Sequence, residues 1–142
     1  MNWQFWKKKV MTIEDALRHE RSDLKVSEWL QLAWNHHPED RLPPEVLNAY
    51  LLDRFLTGVN FDGLAVYWEN NPDAGERDVK ALEKAGVHDV AELVRHGLAI
   101  RENEDELDAL DQKIMAMSVR IQDATHQYIR DNLAAFNSVQ AS

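Results

Sequence analysis

Apolar residues recur along this chain at helical spacing, i, i+3, i+4 and i+7, whereas the strict alternation of a half-buried strand is hard to find. Residues 1–11 form a short aromatic and basic lead. Thr12 is placed to cap a first helix, with Asp15 three residues on and Ala16 and Leu17 sharing one face. Ser27 is placed to cap a second, in which Val26, Trp29, Leu30, Ala33 and Trp34 make one stripe. Asn35-His36-His37-Pro38 should end it, because the residue before a proline is driven out of the α region.

Pro43-Pro44 opens a third helix with Leu47, Tyr50, Leu51 and Phe55 on its buried side and Gly58 as its stop. A short helix from Gly63 to Asn70 carries Leu64, Tyr67 and Trp68, and Asn71-Pro72 breaks it. Asp73…Glu76, Asp89…Glu92 and Asn103…Glu106 each set a capping side chain three residues before a glutamate, the geometry that satisfies free amides at a helix start. Gly86 falls where a left-handed C-terminal cap belongs. Leu107, Leu110, Ile114, Met117, Ile121, Ala124 and Tyr128 step by threes and fours, the seam of a long last helix or of a helix pair bent near Ser118. The expected fold is all-α, one compact multi-helix domain over residues 12–142.

Charge changes this picture more than composition does. The net charge is −9 over 142 residues. Between Asn60 and Asp111 fourteen acidic residues face five basic ones, so this stretch holds the whole surplus. Direct contact with nucleic acid needs a basic footprint and is disfavoured, while a basic protein surface is favoured as partner. Cysteine is absent, which removes thiolate catalysis, disulfides and cysteine metal sites together. No apolar run approaches the ~18 residues of a membrane span. The first residues lack the apolar core of a secretory signal, so a cytoplasmic location is expected.

From Val59-Asn60 onward the chain resembles the bacterial DNA-mimic-protein family, catalogued more widely as a domain of unknown function. The resemblance lies in Val59, Asn60 and Gly63, followed by Tyr67, Trp68 and Asn70. It continues through Ala81-Leu82-Glu83-Lys84-Ala85-Gly86, Leu107-Asp108-Ala109-Leu110-Asp111, and Tyr128-Ile129-Arg130-Asp131-Asn132 with Phe136. It covers about residues 44–137. Phe61 and Asp62 depart from it, standing where the family usually has Asn and Gly. It implies an all-helical fold, a homodimer, and an acidic surface that occupies the DNA-binding face of a transcription regulator.

On that reading Glu102, Glu104, Asp105, Glu106 and Asp108 form the principal row of carboxylates, with Asp73, Glu76 and Asp78 as a second row. The plainer reading of the same residues is a solvated first turn. Val59, Asn60, Gly63, Tyr67, Trp68, Asn70, Gly86 and Tyr128 are expected to be structural. Two rivals use the same chain differently. One is an immunity- or antitoxin-like protein that neutralises a basic partner. The other is a ligand-binding protein built around Asn60 and Trp68. No catalytic motif, cofactor or metal site is expected: the histidines lack paired i, i+3 or i, i+4 spacing, and no nucleophile elbow or phosphate-cradling loop occurs. Trp3, Phe5 and Trp6 ahead of Lys7, Lys8 and Lys9 could touch a membrane interface or serve as a docking arm.

Overall fold

A computed structural model describes residues 11–139, so the readings placed on Trp3 to Lys9 lie outside the described residues. Thr12 caps α1 (Ile13–Arg18), its hydroxyl accepting from the Asp15 amide at 3.1 Å. The next helix, α2 (Ser22–His36), begins five residues before its expected cap. Ser27 is not a cap; it lies inside the helix and its hydroxyl donates to Asp53 at 2.8 Å. His37 leaves the helix in extended conformation just before Pro38, as the proline demands.

After a 3-10 turn (Glu39–Arg41) comes α3 (Pro44–Asn70), the axis of the molecule. It packs against α2 and against helices later in the chain, and it buries a side chain on nearly every turn. Gly58 does not stop it. Glycine is needed there because the Tyr67 ring lies on it: a β-carbon would sit 2.2 Å from a ring carbon. The break comes five residues later, at Gly63 (φ 81°, ψ 165°), a conformation that costs other residues dearly.

The short helix expected from Gly63 to Asn70 is thus the second limb of α3, and Tyr67 returns to touch the first limb. Phe55 and Tyr67 meet edge to face at 6.0 Å between ring centres, and both are fully buried. Burial of each such ring contributes about 1.5–3 kcal/mol.

The remaining helices are α4 (Glu76–Lys84), α5 (His88–Ala99), α6 (Glu104–Met115), α7 (Ser118–Asp131) and α8 (Leu133–Asn137). α4, α6, α7 and α8 pack along α3, and α5 meets it where Gly97 lies against Leu64 and Trp68. Gly86 takes a positive φ of 79° between α4 and α5, where the Val87 amide bonds back to the Leu82 carbonyl at 2.9 Å. Of the three expected capping pairs only Asn103…Glu106 forms, with Asn103 Oδ1 accepting from the Glu106 amide at 3.1 Å. The last helix is a pair, turned at Ala116-Met117. Its seam residues Leu107, Leu110, Ile114 and Ile121 are buried nonetheless. Among the described residues there is no strand, and no helix is long and apolar enough to cross a membrane.

Candidate functional site

The fourteen acidic residues between Asn60 and Asp111 fall into three physical classes. Four are held in ion pairs. Asp73 meets Arg54 at 3.2 Å and Arg77 at 2.7 Å, Glu83 meets Arg95 at 2.8 Å, Glu92 also meets Arg95, and Asp89 meets Arg120. Two are buried, Asp78 and Asp111. The other eight are exposed without an ion pair among the described residues, and five of these are consecutive or nearly so: Glu102, Glu104, Asp105, Glu106 and Asp108.

These five sit on the turn after α5 and the first turn and a half of α6. The Asn103 amide bonds to the Ile100 carbonyl at 2.8 Å, and its side chain caps the helix, so the row begins on fixed backbone. Its position at a helix N-terminus offsets part of the mutual repulsion, because unpaired amides present partial positive charge there. Behind the row, the Arg101 guanidinium lies 5.1 Å from the centre of the buried Trp68 ring and is thereby occupied. Leu107 and Leu110 anchor α6 to the core.

The second row does not form. Glu76 is exposed, but Asp73 is tied to two arginines, and burial and these guanidinium contacts act on it in opposite senses with a net lowering of its pKa. Asp78 is 0% exposed and cannot belong to a surface. It accepts from the Gly75 amide at 3.0 Å and from the Tyr67 hydroxyl at 2.9 Å. Asp78 therefore plays the capping part expected of Asp73…Glu76. Asp89…Glu92 fails as a cap because α5 starts at His88, leaving both carboxylates to arginines.

Asp111 has an analogous role across a longer distance. The Gly63 break frees the amide of Leu64, and Asp111 Oδ1 of α6 accepts it at 2.9 Å. A carboxylate on one helix thus caps the second limb of another. A β-carbon on residue 63 would stand 2.9 Å from Asp111 Oδ2, so glycine and aspartate require each other. Sequence reasoning missed this pair, although both members lie in the segments that carry the family resemblance.

Among the other motif residues Val59, Tyr67 and Trp68 are buried, and Tyr128 is half-buried against the core. Asn70 is exposed, while its neighbour Asn71 bonds the Tyr67 carbonyl at 2.9 Å and closes α3. Asn60 Oδ1 lies 2.9 Å from the Ser118 hydroxyl and so joins α3 to the start of α7. The expectation of a pocket shared by Asn60 and Trp68 fails. Trp68 is 2% exposed and its ring edge closes over Gly97, whereas Asn60 borders a cleft between α2, α3 and α7 that Trp68 does not reach. The indole Nε1 is buried without a hydrogen-bond partner among the described residues.

No curated protein and no solved structure matches the chain. A family of proteins does, over residues 40–132, a span that contains the Gly63–Asp111 pair, the buried Asp78 and the whole exposed row. With about two-thirds of its length matched, the chain belongs to the family described as DMP19-like protein.

Proposed function

We propose that this protein is an acidic protein-binding module that works as a DNA mimic, taking the place of DNA on the basic face of a regulator. Family membership supports a function of this class. One observation carries it to these residues: Glu102, Glu104, Asp105, Glu106 and Asp108 are exposed together, with no ion pair among the described residues, on a capped helix start. Neighbours three and four apart on a helix lie ~5–6 Å from one another, the same order as successive phosphates on a strand. A rigid row of this kind binds a groove-reading surface with little ordering cost.

The mechanism is competition. A regulator whose cationic face is filled by these carboxylates cannot hold an operator. The partner is a basic protein surface, the location is the cytoplasm, and a homodimer would present two such rows.

The test is a titration against the partner captured from the native cell. Affinity should fall steeply between about 50 and 200 mM salt, as it does for DNA itself. Replacing Glu104, Asp105, Glu106 and Asp108 together by their amides should abolish competition with DNA while leaving the fold intact. Salt-insensitive affinity, or a stable ternary complex with DNA, would end the proposal.

A further inference from the structure

Away from the acidic row, α2, α3 and α7 leave an open cleft of about 250 Å³ between them. Its chemistry is one-sided. Asp23, Asp53 and His126 line it together with Leu24 and Phe61, and among the described residues no lysine or arginine does. Asp53 is held in place: the Ser27 hydroxyl donates to its Oδ2 at 2.8 Å, while its Oδ1 accepts nothing among the described residues.

His126 is 7% exposed and makes no side-chain hydrogen bond among the described residues. Burial keeps its pKa below the ordinary value, helped by Arg130 and opposed by Asp123 and Asp23, so at neutral pH the ring is uncharged. A neutral imidazole has one donor and one acceptor, and with no partner among the described residues these are left to water or to a ligand in the cleft. The rim is apolar. Phe61 is 84% exposed and Leu24 54%, positions from which large apolar side chains contribute little to folding.

We propose that this cleft binds a small organic cation, a primary amine borne on an aromatic or apolar body. The ammonium meets Asp53 Oδ1 and the free acceptor nitrogen of His126, and the body lies on Phe61 and Leu24. Phe61 adds the attraction of its ring face for the positive charge. An anionic ligand is disfavoured, since Asp53 lines the space with no cation paired to it among the described residues, while Asp23 is already met by Arg21 at 3.5 Å. The volume lies below the ~300–1,000 Å³ of sites for drug-sized ligands, which points to a molecule of amino-acid size. The inference uses none of the residues of the row and does not depend on DNA mimicry.

Phenethylamine and 3-phenylpropionate, alike in body and opposite in charge, are the probes. With isotopically labelled full-length protein, the amine should move the His126 ring and Asn60 side-chain signals, and the carboxylate should not. Asp53→Asn should weaken amine binding roughly tenfold or more, as loss of a charge-assisted hydrogen bond does. Phe61→Ala, on an exposed rim where folding is not at risk, should weaken it about threefold. Equal binding of the carboxylate, or unchanged amine binding in both variants, overturns the assignment. So does the absence of shifts at about 10 mM amine, ten times a ~1 mM Kd.

Discussion

At the start of α6, five carboxylates stand in water with no cation to meet them among the described residues, and the core feels them only through Leu107 and Leu110 behind. At the junction of α3 and α4, carboxylates are nearly as dense, but all except Glu76 are differently employed. Asp73 clamps Arg54 and Arg77, Arg77 reaches on to Glu39 at 2.8 Å, and Asp78 is sealed beneath Tyr67. The comparison teaches that acidic composition is not a surface property. A carboxylate beside an unpaired backbone amide or an arginine becomes scaffold. Only where helix geometry turns several of them outward does composition become a field that a partner can sense.

The largest test of this contrast is Asp78→Ala. It strips partners from the Gly75 amide and the Tyr67 hydroxyl, both buried, and should cost about 2–4 kcal/mol in urea unfolding. On the other side of the contrast, Asp105→Asn in the exposed row should change stability by no more than about 0.5 kcal/mol in the same measurement.

Next is Gly58→Ala. Helix propensity alone predicts a gain of about 1 kcal/mol. The β-carbon collides with the Tyr67 ring, however, and overpacking should turn this into a net loss of about 1–3 kcal/mol. A measured gain would show that Tyr67 does not rest on the first limb of α3.

Asp111→Ala comes third. It leaves the Leu64 amide uncapped and should cost about 1–2 kcal/mol, the range for loss of a helix cap. Among the paired or buried carboxylates' partners the smallest effect should come from Arg95→Ala, which breaks exposed pairs with Glu83 and Glu92 and should cost about 0.2–1 kcal/mol, less at high salt.

Acid sharpens the comparison in another way. His126 is held below its usual value of 6.5 by burial. Above that pH both folded and unfolded chains carry a neutral ring, and stability is complete. As the pH falls below about 6.5, the unfolded chain takes up a proton that the native chain resists, so stability declines until the native value is passed. The buried Asp78 acts in the opposite sense: its pKa is raised by burial, so its burial is favoured below the usual value and penalised as the pH rises through the native one. The difference between wild type and His126→Gln in unfolding midpoint from pH 7 to pH 5 isolates the histidine. Parallel curves would remove it as a contributor.

Much of the molecule was legible in its order of residues. Helix period, Pro44 at the head of α3, Thr12 and Asn103 as caps, Gly86 as a terminator and the seam from Leu107 to Ile121 all act over one or two turns, and local chemistry decides them. The same local rules located the exposed run at Glu102 to Asp108. Where they failed, two local partners competed and a distant one settled the outcome. Gly58 looks like a stop until Tyr67 packs on it; Ser27 looks like a cap until Asp53 takes its hydroxyl.

By itself, then, the sequence determined the helices, the surplus of negative charge and the segment in which that surplus is densest. Tertiary structure decided which carboxylates are free. Asp78, Asp111 and Asp89 have their partners at Tyr67, Leu64 and Arg120, residues 11, 47 and 31 positions away. No periodicity encodes such pairings. They exist because α3 breaks at Gly63 and the later helices close around it, bringing buried amides and arginines within reach of side chains that would otherwise face water.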